Sequence, residues 1–202
     1  MKRFIFVIVL IVFFIGCKNN EVRIDKFVYI EHIANRIEKP EDLKSKLYLE
    51  YDDNKGMIKI ARTNVWSGGK TKYYSIKSPD SLRQLIFTNL HLKKYPTCFE
   101  DRIDQKNFPI IYDGDCFCII YKFSDGAEQI INYEPYNVPD SLRSFTDYLE
   151  KIKKFSSFER IDSFNSTGWI DKYRDIIISC FPIISHETNV EFKPPVIVDS
   201  VY

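Results

Sequence analysis

Glycine and histidine are scarce in this chain of 202 residues, and their scarcity excludes several kinds of site. Its 7 glycines form no G-x-x-x-x-G-K-[ST] loop of the kind that cradles phosphates. The 3 histidines are His32, His91 and His186, which lie far apart, and the cysteines lack paired C-x-x-C spacing. A zinc site needs such paired ligands, so we expect neither a metal nor another cofactor.

Catalytic motifs are missing as well. The chain contains no G-x-S-x-G and no H-E-x-x-H sequence, and no histidine is paired by spacing with a serine or cysteine. A catalytic triad is spatial and needs no local motif, so an enzyme remains the less favoured alternative.

Three acidic groupings lie beside glycine, asparagine or polar residues, and we interpret them as turn-capping and solvated charge. They are Asp52 with Asp53, Glu100 with Asp101 and Asp104, and Asp113 with Asp115. Acid and base catalysis needs two carboxylates held at a fixed distance, which neighbouring turn residues rarely provide. None of the groupings has the ligand spacing of an EF-hand calcium loop either.

The chain also has no excess of one charge. It carries 29 basic and 28 acidic residues, and without residues 1–16 its net charge is about −1. The densest basic cluster, Lys151, Lys153 and Lys154, falls in a predicted helix, where we interpret it as a solvated face. No basic run is long enough to follow a phosphate backbone, so we expect no nucleic-acid partner.

The N-terminal apolar run is too short to cross a membrane. It extends over the 12 residues from Phe4 to Ile15, follows Lys2 and Arg3, and ends at Gly16 and Cys17. A membrane-spanning helix needs about 20 apolar residues, whereas the apolar region of an export signal is shorter. The pattern of charge, apolar run and polar continuation therefore predicts an export signal.

A cysteine directly after a small residue at the end of such a run resembles the bacterial lipoprotein signal, with Gly16 and Cys17 matching its last two positions. The resemblance covers residues 1–17. It implies that residues 1–16 are a signal peptide, that Cys17 carries lipid, and that residues 17–24 tether the fold to a membrane of the bacterial cell envelope. The alternatives are an ordinary signal peptide with an incidental cysteine, or an uncleaved N-terminal anchor.

Hydrophobic periodicity predicts one α+β domain over residues 25–202, with an antiparallel sheet built from hairpins and about four helices. The first predicted helix is capped by Asp25 and has apolar residues at Phe27, Ile30, Ala34 and Ile37. The other helices begin near Pro79, Pro139 and Gly168, and in the last one Trp169, Tyr173, Ile176 and Ile177 are predicted on one side.

Turn residues predict the positions of the hairpins. They are Asp52–Gly56, Ser67–Gly69 and Ser124–Gly126, each between segments with the composition of strands. Prolines at positions 194 and 195 predict short edge strands in the tail.

A five-residue sequence motif, Pro-Asp-Ser-Leu-Arg, occurs twice. Pro79–Arg83 reappears as Pro139–Arg143, an offset of 60 that also aligns Ile60 with Ile120 and Tyr73 with Tyr133. One interpretation is a degenerate repeat of a hairpin followed by a helix, in units 46–95 and 106–155. The other is convergence on one favourable helix start.

Four cysteines follow Cys17: Cys98, Cys116, Cys118 and Cys180. An exported protein can hold disulfides. Cys116 and Cys118 are two apart in a predicted strand, so a bond between them would distort it. A bond from Cys98 to Cys116 or Cys118 and a set of buried free thiols both remain open, and the pairing is undetermined.

The predicted ligand-binding residues are Trp66, Tyr73 and Tyr74, beside the flexible Gly68 and Gly69. An aromatic face at such a turn suits a sugar or a partner protein, and core packing is the alternative. Our leading hypothesis is a non-catalytic envelope lipoprotein, bound to the membrane by its lipid anchor, that recognises a protein or an envelope component such as a glycan. The alternative is an envelope hydrolase acting on glycan or peptide.

Overall fold

The computed structural model describes residues 22–33, 43, 45–65, 69–90, 94–99, 115–134, 138, 140–155 and 157–180. These residues form an α+β fold with one eight-stranded sheet and three helices. The strands are β1 (Ile24–Ile33), β2 (Ser45–Asp52), β3 (Met57–Arg62), β4 (Lys72–Lys77), β5 (Cys98–Phe99), β6 (Asp115–Phe123), β7 (Glu128–Tyr133) and β8 (Glu159–Ile161). The helices are α1 (Asp80–Leu90), α2 (Asp140–Ile152) and α3 (Gly168–Ser179).

The strands follow the order β5-β7-β6-β1-β2-β3-β4-β8 across the sheet. Neighbouring strands are antiparallel except β5 and β7, which are parallel. The sheet is therefore mixed, and the expectation of a purely antiparallel sheet was wrong at this edge. None of the three described helices is long and apolar enough to cross a membrane.

β1 replaces the first predicted helix. It pairs with β2 on one edge and with β6 on the other, and its residues from Phe27 to Ile33 are all buried. A strand covered on both faces carries a continuous apolar run, which periodicity cannot distinguish from a buried helix segment. The helix prediction was wrong for residues 25–33, and its remainder, residues 34–39, lies outside the described residues.

The hairpins with turns predicted at Asp52–Gly56 and Ser124–Gly126 are confirmed, whereas residues 67 and 68 of the turn predicted at Ser67–Gly69 lie outside the described residues. β2 and β3 are joined by a turn that ends at Gly56, whose φ is +57°, and β6 and β7 by a turn with Gly126 at φ +92°. These left-handed conformations favour glycine because a side chain would be strained there. β3 also pairs with β4. The predicted tail strands lie outside the described residues.

The helices predicted to begin near Pro79, Pro139 and Gly168 are present as α1, α2 and α3. The helical count of about four remains a prediction, because other parts of the chain are not described. In α3 the buried side chains are Ile170 and Ile177, whereas Ile176 is 40% exposed. Ile176 is therefore largely in solvent, at the edge of the side that Ile177 buries.

The core is divided between the two faces of the sheet. The first face packs against α1 and α2 and buries residues such as Phe27, Leu49 and Phe145. The second face packs against α3 and buries residues such as Val28 and Tyr48. Strand side chains alternate between the faces, so this division fixes where each charged strand residue points.

The 60-residue offset fits the helices but not the strands. Leu82 and Leu142 are equivalent buried residues of α1 and α2. In the strands, Ile60 lies in the core of the first face and Ile120 in that of the second. A shift of one residue turns a strand side chain to the other face. The mismatch favours convergence on a helix start over a repeat with this offset.

The structure has one disulfide among the described cysteines, between Cys98 and Cys180. It joins β5, at the edge of the sheet, to the residue that follows α3. Cys116 and Cys118 are buried thiols, and Cys116 packs against the disulfide. The considered bond from Cys98 to Cys116 or Cys118 was therefore wrong, because the packing of α3 across the sheet brings Cys180 to Cys98.

Candidate ligand-binding site

Two adjoining cavities lie at the end of the sheet where β1 terminates. Their volumes are about 380 and 510 Å³, and Glu31, Lys46 and Lys153 line both. We name the two cavities together the far groove. The smaller cavity also has Tyr29, Tyr133 and Glu150 in its wall, and the larger one has Arg62, Lys70, Lys72 and Tyr74.

The floor of the far groove is a network of two carboxylates, one lysine and one tyrosine. Tyr29 Oη donates to Glu31 Oε1 at 3.1 Å and to Glu150 Oε1 at 3.3 Å. Lys153 Nζ donates to Glu150 Oε1 at 2.6 Å and also to Glu31. The exposed fractions of the side chains are 5% for Glu31, 15% for Lys153 and 44% for Glu150. Lys153 is thus shared by one buried and one accessible carboxylate.

Burial dominates the protonation chemistry of this floor. It raises the pKa of Glu31 above its ordinary value, and the neighbouring Lys153 offsets only part of that rise. Burial also raises the pKa values of Tyr29 and Tyr133, and the nearby carboxylates add to the effect. A desolvated charge is costly unless it is paired and hydrogen-bonded, which is the role that Lys153 and Tyr29 have towards Glu31.

The larger cavity has a strong excess of positive charge. Its wall contains one carboxylate, Glu31, and five cationic side chains: Lys46, Arg62, Lys70, Lys72 and Lys153. Lys46 pairs with Asp115 at 2.6 Å, and Lys153 pairs within the floor network. Among the described residues, no ion pair is found for Arg62, Lys70 or Lys72. Three positive charges are therefore available to an anion.

The ends of β3 and β4 position these cations. The Thr63 and Thr71 hydroxyls are hydrogen-bonded at 2.9 Å where the two strands separate. The Arg62 guanidinium lies over the Tyr74 ring, with Cζ 5.6 Å from its centre, and donates to the Lys153 carbonyl. The Tyr74 ring and the Lys153 carbonyl therefore hold the Arg62 guanidinium in one orientation, so this planar cation is preorganised for binding.

The structure separates the predicted binding residues. Tyr73 lies on the second face, where its ring meets Phe164 edge-on at 5.5 Å, whereas Tyr74 lines the far groove. Adjacent strand residues point to opposite faces, so Tyr73 and Tyr74 cannot form one surface. Trp66 and the lipid-attachment residue Cys17 lie outside the described residues.

The sequence interpretation missed Glu31, Glu150 and Lys153. It also placed Lys153 on a solvated face, which was wrong because its side chain is 15% exposed and paired with two carboxylates. One signal was present. A glutamate inside the apolar run from Phe27 to Ile33 indicates a buried carboxylate with a partner, because a charged side chain is rarely buried alone.

The acidic turn groupings have structural partners where they are described. Asp53 accepts a hydrogen bond from Tyr51 Oη at 2.5 Å and pairs with Arg83 Nε at 3.0 Å. Asp52 pairs with Lys55 at 3.5 Å, and Asp115 with Lys46. These carboxylates tie turns and strand ends together. Glu100, Asp101, Asp104 and Asp113 lie outside the described residues.

Comparison with known proteins finds no matching family model, no similar curated protein and no similar solved structure. Within the described ranges, no group of three or more His, Cys, Asp or Glu side chains is arranged to hold a metal ion.

Proposed function

We propose that this protein is a bacterial envelope lipoprotein, tethered through acyl chains on Cys17, whose domain binds a negatively charged protein or glycan in the far groove without catalysing a reaction. One observation carries the proposal: Arg62, Lys70 and Lys72 lie together without carboxylate partners among the described residues. A groove of one sign of charge concentrates ligands of the other sign.

The chemistry of the larger cavity suits a polyanion with hydroxyl or amide groups. Arg62 presents a fixed guanidinium that binds a carboxylate or phosphate through two hydrogen bonds. Tyr74, Thr63 and Asn64 add an aromatic face and polar groups to the same wall. Acidic glycans and acidic protein segments both combine these features.

The disulfide supports a location outside the cytoplasm. Structural disulfides persist in oxidising compartments and are rare in the cytosol. Cys98 and Cys180 are bonded and Cys180 is 7% exposed, so the bond is largely shielded. This agrees with the export signal that the first 17 residues resemble.

The direction of β1 supports an outward-facing groove. β1 begins seven residues after Cys17 and ends beside the far groove. Its 10 residues extend over about 30 Å. If Cys17 carries the lipid, the far groove therefore lies at the end of the domain opposite the tether. A partner that is not in the same membrane surface can then reach it.

Titration of the full-length protein in detergent micelles with polyglutamate and with a polyuronate tests this function. The variant Arg62→Ala/Lys70→Ala/Lys72→Ala removes the three available charges, and calorimetry measures the affinity. We expect affinity to fall on the order of tenfold or more, because each exposed charge contact contributes up to about 1 kcal/mol.

The matched control is Lys77→Ala/Lys94→Ala/Lys151→Ala. These three lysines are exposed and outside the far groove, and their removal changes the net charge equally. Equal weakening by the two triple variants would attribute binding to overall charge and contradict a specific groove. Binding of neither polyanion by the wild-type protein would contradict the proposal altogether.

A hydrolase is the second candidate, and a specific observation favours it. Glu31 and Glu150 line the same cavity of about 380 Å³ in environments of different polarity, and the pKa of Glu31 is raised by burial. Two carboxylates whose pKa values are pushed apart are a pattern of acid and base catalysis. Lys153 pairs with Glu31, however, and its positive charge favours the ionised form of that carboxylate, which opposes its holding a proton for a substrate.

Incubation with labelled peptidoglycan and peptide mixtures distinguishes the two candidates. Release of soluble fragments by the wild-type protein, lost in both Glu31→Gln and Glu150→Gln, supports the hydrolase. We expect no fragments from the wild type, with polyanion binding retained by Glu150→Gln.

A further inference from the structure

A second charged cavity lies at the opposite end of the sheet from the far groove, between the second face and α3. Its volume is about 460 Å³. We name this cavity the near pocket, and its wall contains four lysines and one tryptophan: Lys26, Lys59, Lys122, Lys172 and Trp169.

The near pocket is close to the point where the tether joins the fold. Arg23, directly before β1, donates from its backbone to Ser124 Oγ at 3.2 Å and from Nη2 to Asn54 Oδ1 at 3.1 Å. These contacts place the turn between β2 and β3 and the turn between β6 and β7 at the end of the sheet where β1 begins. Lys26 and Lys122 are next to this end of their strands.

The strand register places like charges face to face in the pocket. Lys26 lies directly opposite Lys122 in the antiparallel pair of β1 and β6. Like charges directly opposite each other destabilise a sheet. On their other sides Lys26 lies opposite Asp52 and Lys122 lies opposite Glu128, and these carboxylates offset part of the repulsion. An anion between the two ammonium groups relieves the rest.

The carboxylates of the pocket neutralise only part of this charge. Glu128 is engaged by Lys172 and by Lys122 at 4.0 Å, and Tyr173 Oη also donates to it. Although burial opposes it, the hydrogen bonds from Lys172 and Tyr173 hold the pKa of Glu128 below its ordinary value.

Lys26 and Lys59 remain available to a ligand. Glu50, the other carboxylate of the pocket, accepts a hydrogen bond from Tyr48 Oη at 3.1 Å. Lys59 lies opposite Glu50 in the strand register, and its Nζ is 5.5 Å from the centre of the Phe164 ring, but among the described residues no ion pair is found for Lys26 or Lys59. With four lysines and two glutamates in its wall, the pocket keeps an excess of positive charge.

The aromatic wall suits the boundary between water and lipid. Trp169 is stacked on Tyr173, with ring centres 6.0 Å apart and planes inclined by 8°. Lys172 Nζ lies 5.4 Å from the centre of the Trp169 ring. Tryptophan and tyrosine favour the headgroup level of a membrane, and lysine next to them favours anionic lipid.

We propose that the near pocket binds the phosphate of an anionic lipid headgroup in the membrane that holds the acylated chain, with Lys26, Lys59 and Lys122 around the phosphate. This inference rests on the proposed tether at Cys17. Ile24 is seven positions after Cys17, so the near end of the sheet stays within about 25 Å of the lipidated sulfur. A headgroup contact then fixes the near end towards the membrane and the far groove away from it.

The test uses the full-length acylated protein with Trp66→Phe, which leaves Trp169 as the only tryptophan. It is reconstituted into vesicles of brominated phosphatidylcholine, or of an equal mixture of brominated phosphatidylcholine and brominated phosphatidylglycerol, and bromine quenching of Trp169 is measured. We expect stronger quenching in the anionic vesicles. This difference is lost in Lys26→Gln/Lys59→Gln/Lys122→Gln and kept in Arg62→Gln/Lys70→Gln/Lys72→Gln.

Equal quenching in the two kinds of vesicle, or a difference that persists without the three pocket lysines, would overturn the inference. Glycerol 3-phosphate is added as a soluble competitor. If millimolar glycerol 3-phosphate removes the difference, the pocket binds free phosphate esters, and the lipid assignment is wrong. Circular dichroism of the two triple variants verifies that both are folded.

Intact mass distinguishes this outcome from failure of the tether. A protein without acyl chains on Cys17 contradicts the proposed lipoprotein, whatever the fluorescence shows. The unacylated protein added to preformed vesicles then tests the near pocket alone, because any preference for phosphatidylglycerol must come from the fold. Such a preference, lost in the pocket variant, supports the headgroup site, and no preference overturns it.

Discussion

The two ends of the sheet both present clusters of lysines, but their carboxylates differ in burial. At the far end, Glu31 is 5% exposed and its partner Lys153 is 15% exposed. At the near end, Glu128 is 16% exposed and its partner Lys172 is 52% exposed. When one partner of a buried ion pair is removed, the other is left as a desolvated, unpaired charge that strongly destabilises the fold. The loss of an exposed pair changes stability little. The far cluster thus combines a structural floor with cations that have no ion pair in the described part of the chain, and in the near cluster Lys172 is open to solvent.

Among the variants that compare the two ends of the sheet, we expect replacement of Lys153 to have the largest effect on stability. Lys153→Met leaves Glu31 buried without its cation, and we expect the free energy of unfolding to fall by about 4 kcal/mol. Urea denaturation at neutral pH measures the loss. Lys154→Met, at the exposed neighbouring position, is the control and should change stability by less than about 0.5 kcal/mol. A comparable effect of the two variants would show that the floor network is not structural.

Removal of the disulfide tests whether the far end also depends on a covalent link. The bond between Cys98 and Cys180 closes a loop with a sequence separation of 82. We expect Cys98→Ser/Cys180→Ser to lower the free energy of unfolding by about 3 kcal/mol. Thermal unfolding of this variant and of Cys118→Ala, which changes a buried free thiol, gives the comparison. An unchanged melting temperature in the double variant would contradict the expected role of the bond.

Acid should destabilise the far end before the near end. Burial lowers the pKa of His32 to about 4, although Asp115 opposes the shift. Because the folded pKa is depressed, the stability that neutral His32 contributes is complete above the ordinary pKa of about 6.5 and is lost as pH falls towards 4. We expect a loss of about 2 kcal/mol from pH 7 to pH 5, which is absent in His32→Gln. Identical pH profiles for the two proteins would contradict this.

The smallest effect is expected at the near end. Lys172→Met removes the partner of Glu128, but the side chain of Lys172 is largely in solvent. We expect a change in the free energy of unfolding below about 1 kcal/mol, measured by urea denaturation beside Lys153→Met. A loss as large as that of Lys153→Met would remove the distinction between the two ends.

The sequence predicted the hairpins and most helices because their signals are local. Glycine at the turns and Pro-Asp at the helix starts act through the conformations of a few residues, and α1, α2 and the turns at Gly56 and Gly126 are where those residues placed them. β1 was mistaken for a helix because its character comes from pairing with β2 and β6, which are distant in sequence. Periodicity within one segment contains no information on such partners.

The candidate site was less accessible from the sequence than the fold. Tyr74 was identified, but with Tyr73, although strand alternation separates the two side chains. Glu31 and Lys153 are 122 residues apart and meet only because α2 packs on the first face of the sheet. Correct assignment of β1 as a strand would have exposed Glu31 as a charged residue in an apolar segment.

By itself, the sequence determined where the β2–β3 and β6–β7 hairpins turn and where three helices begin. Each of these depends on residues that are close in the chain, so local stereochemistry and solvation are sufficient. Only the tertiary structure decided that β1 is a central strand, that Cys98 bonds to Cys180, and that the cations form two separate cavities. These features depend on burial and charge pairing between residues that are distant in the sequence. Such interactions contribute to the free energy of folding only when the sheet and its helices are packed.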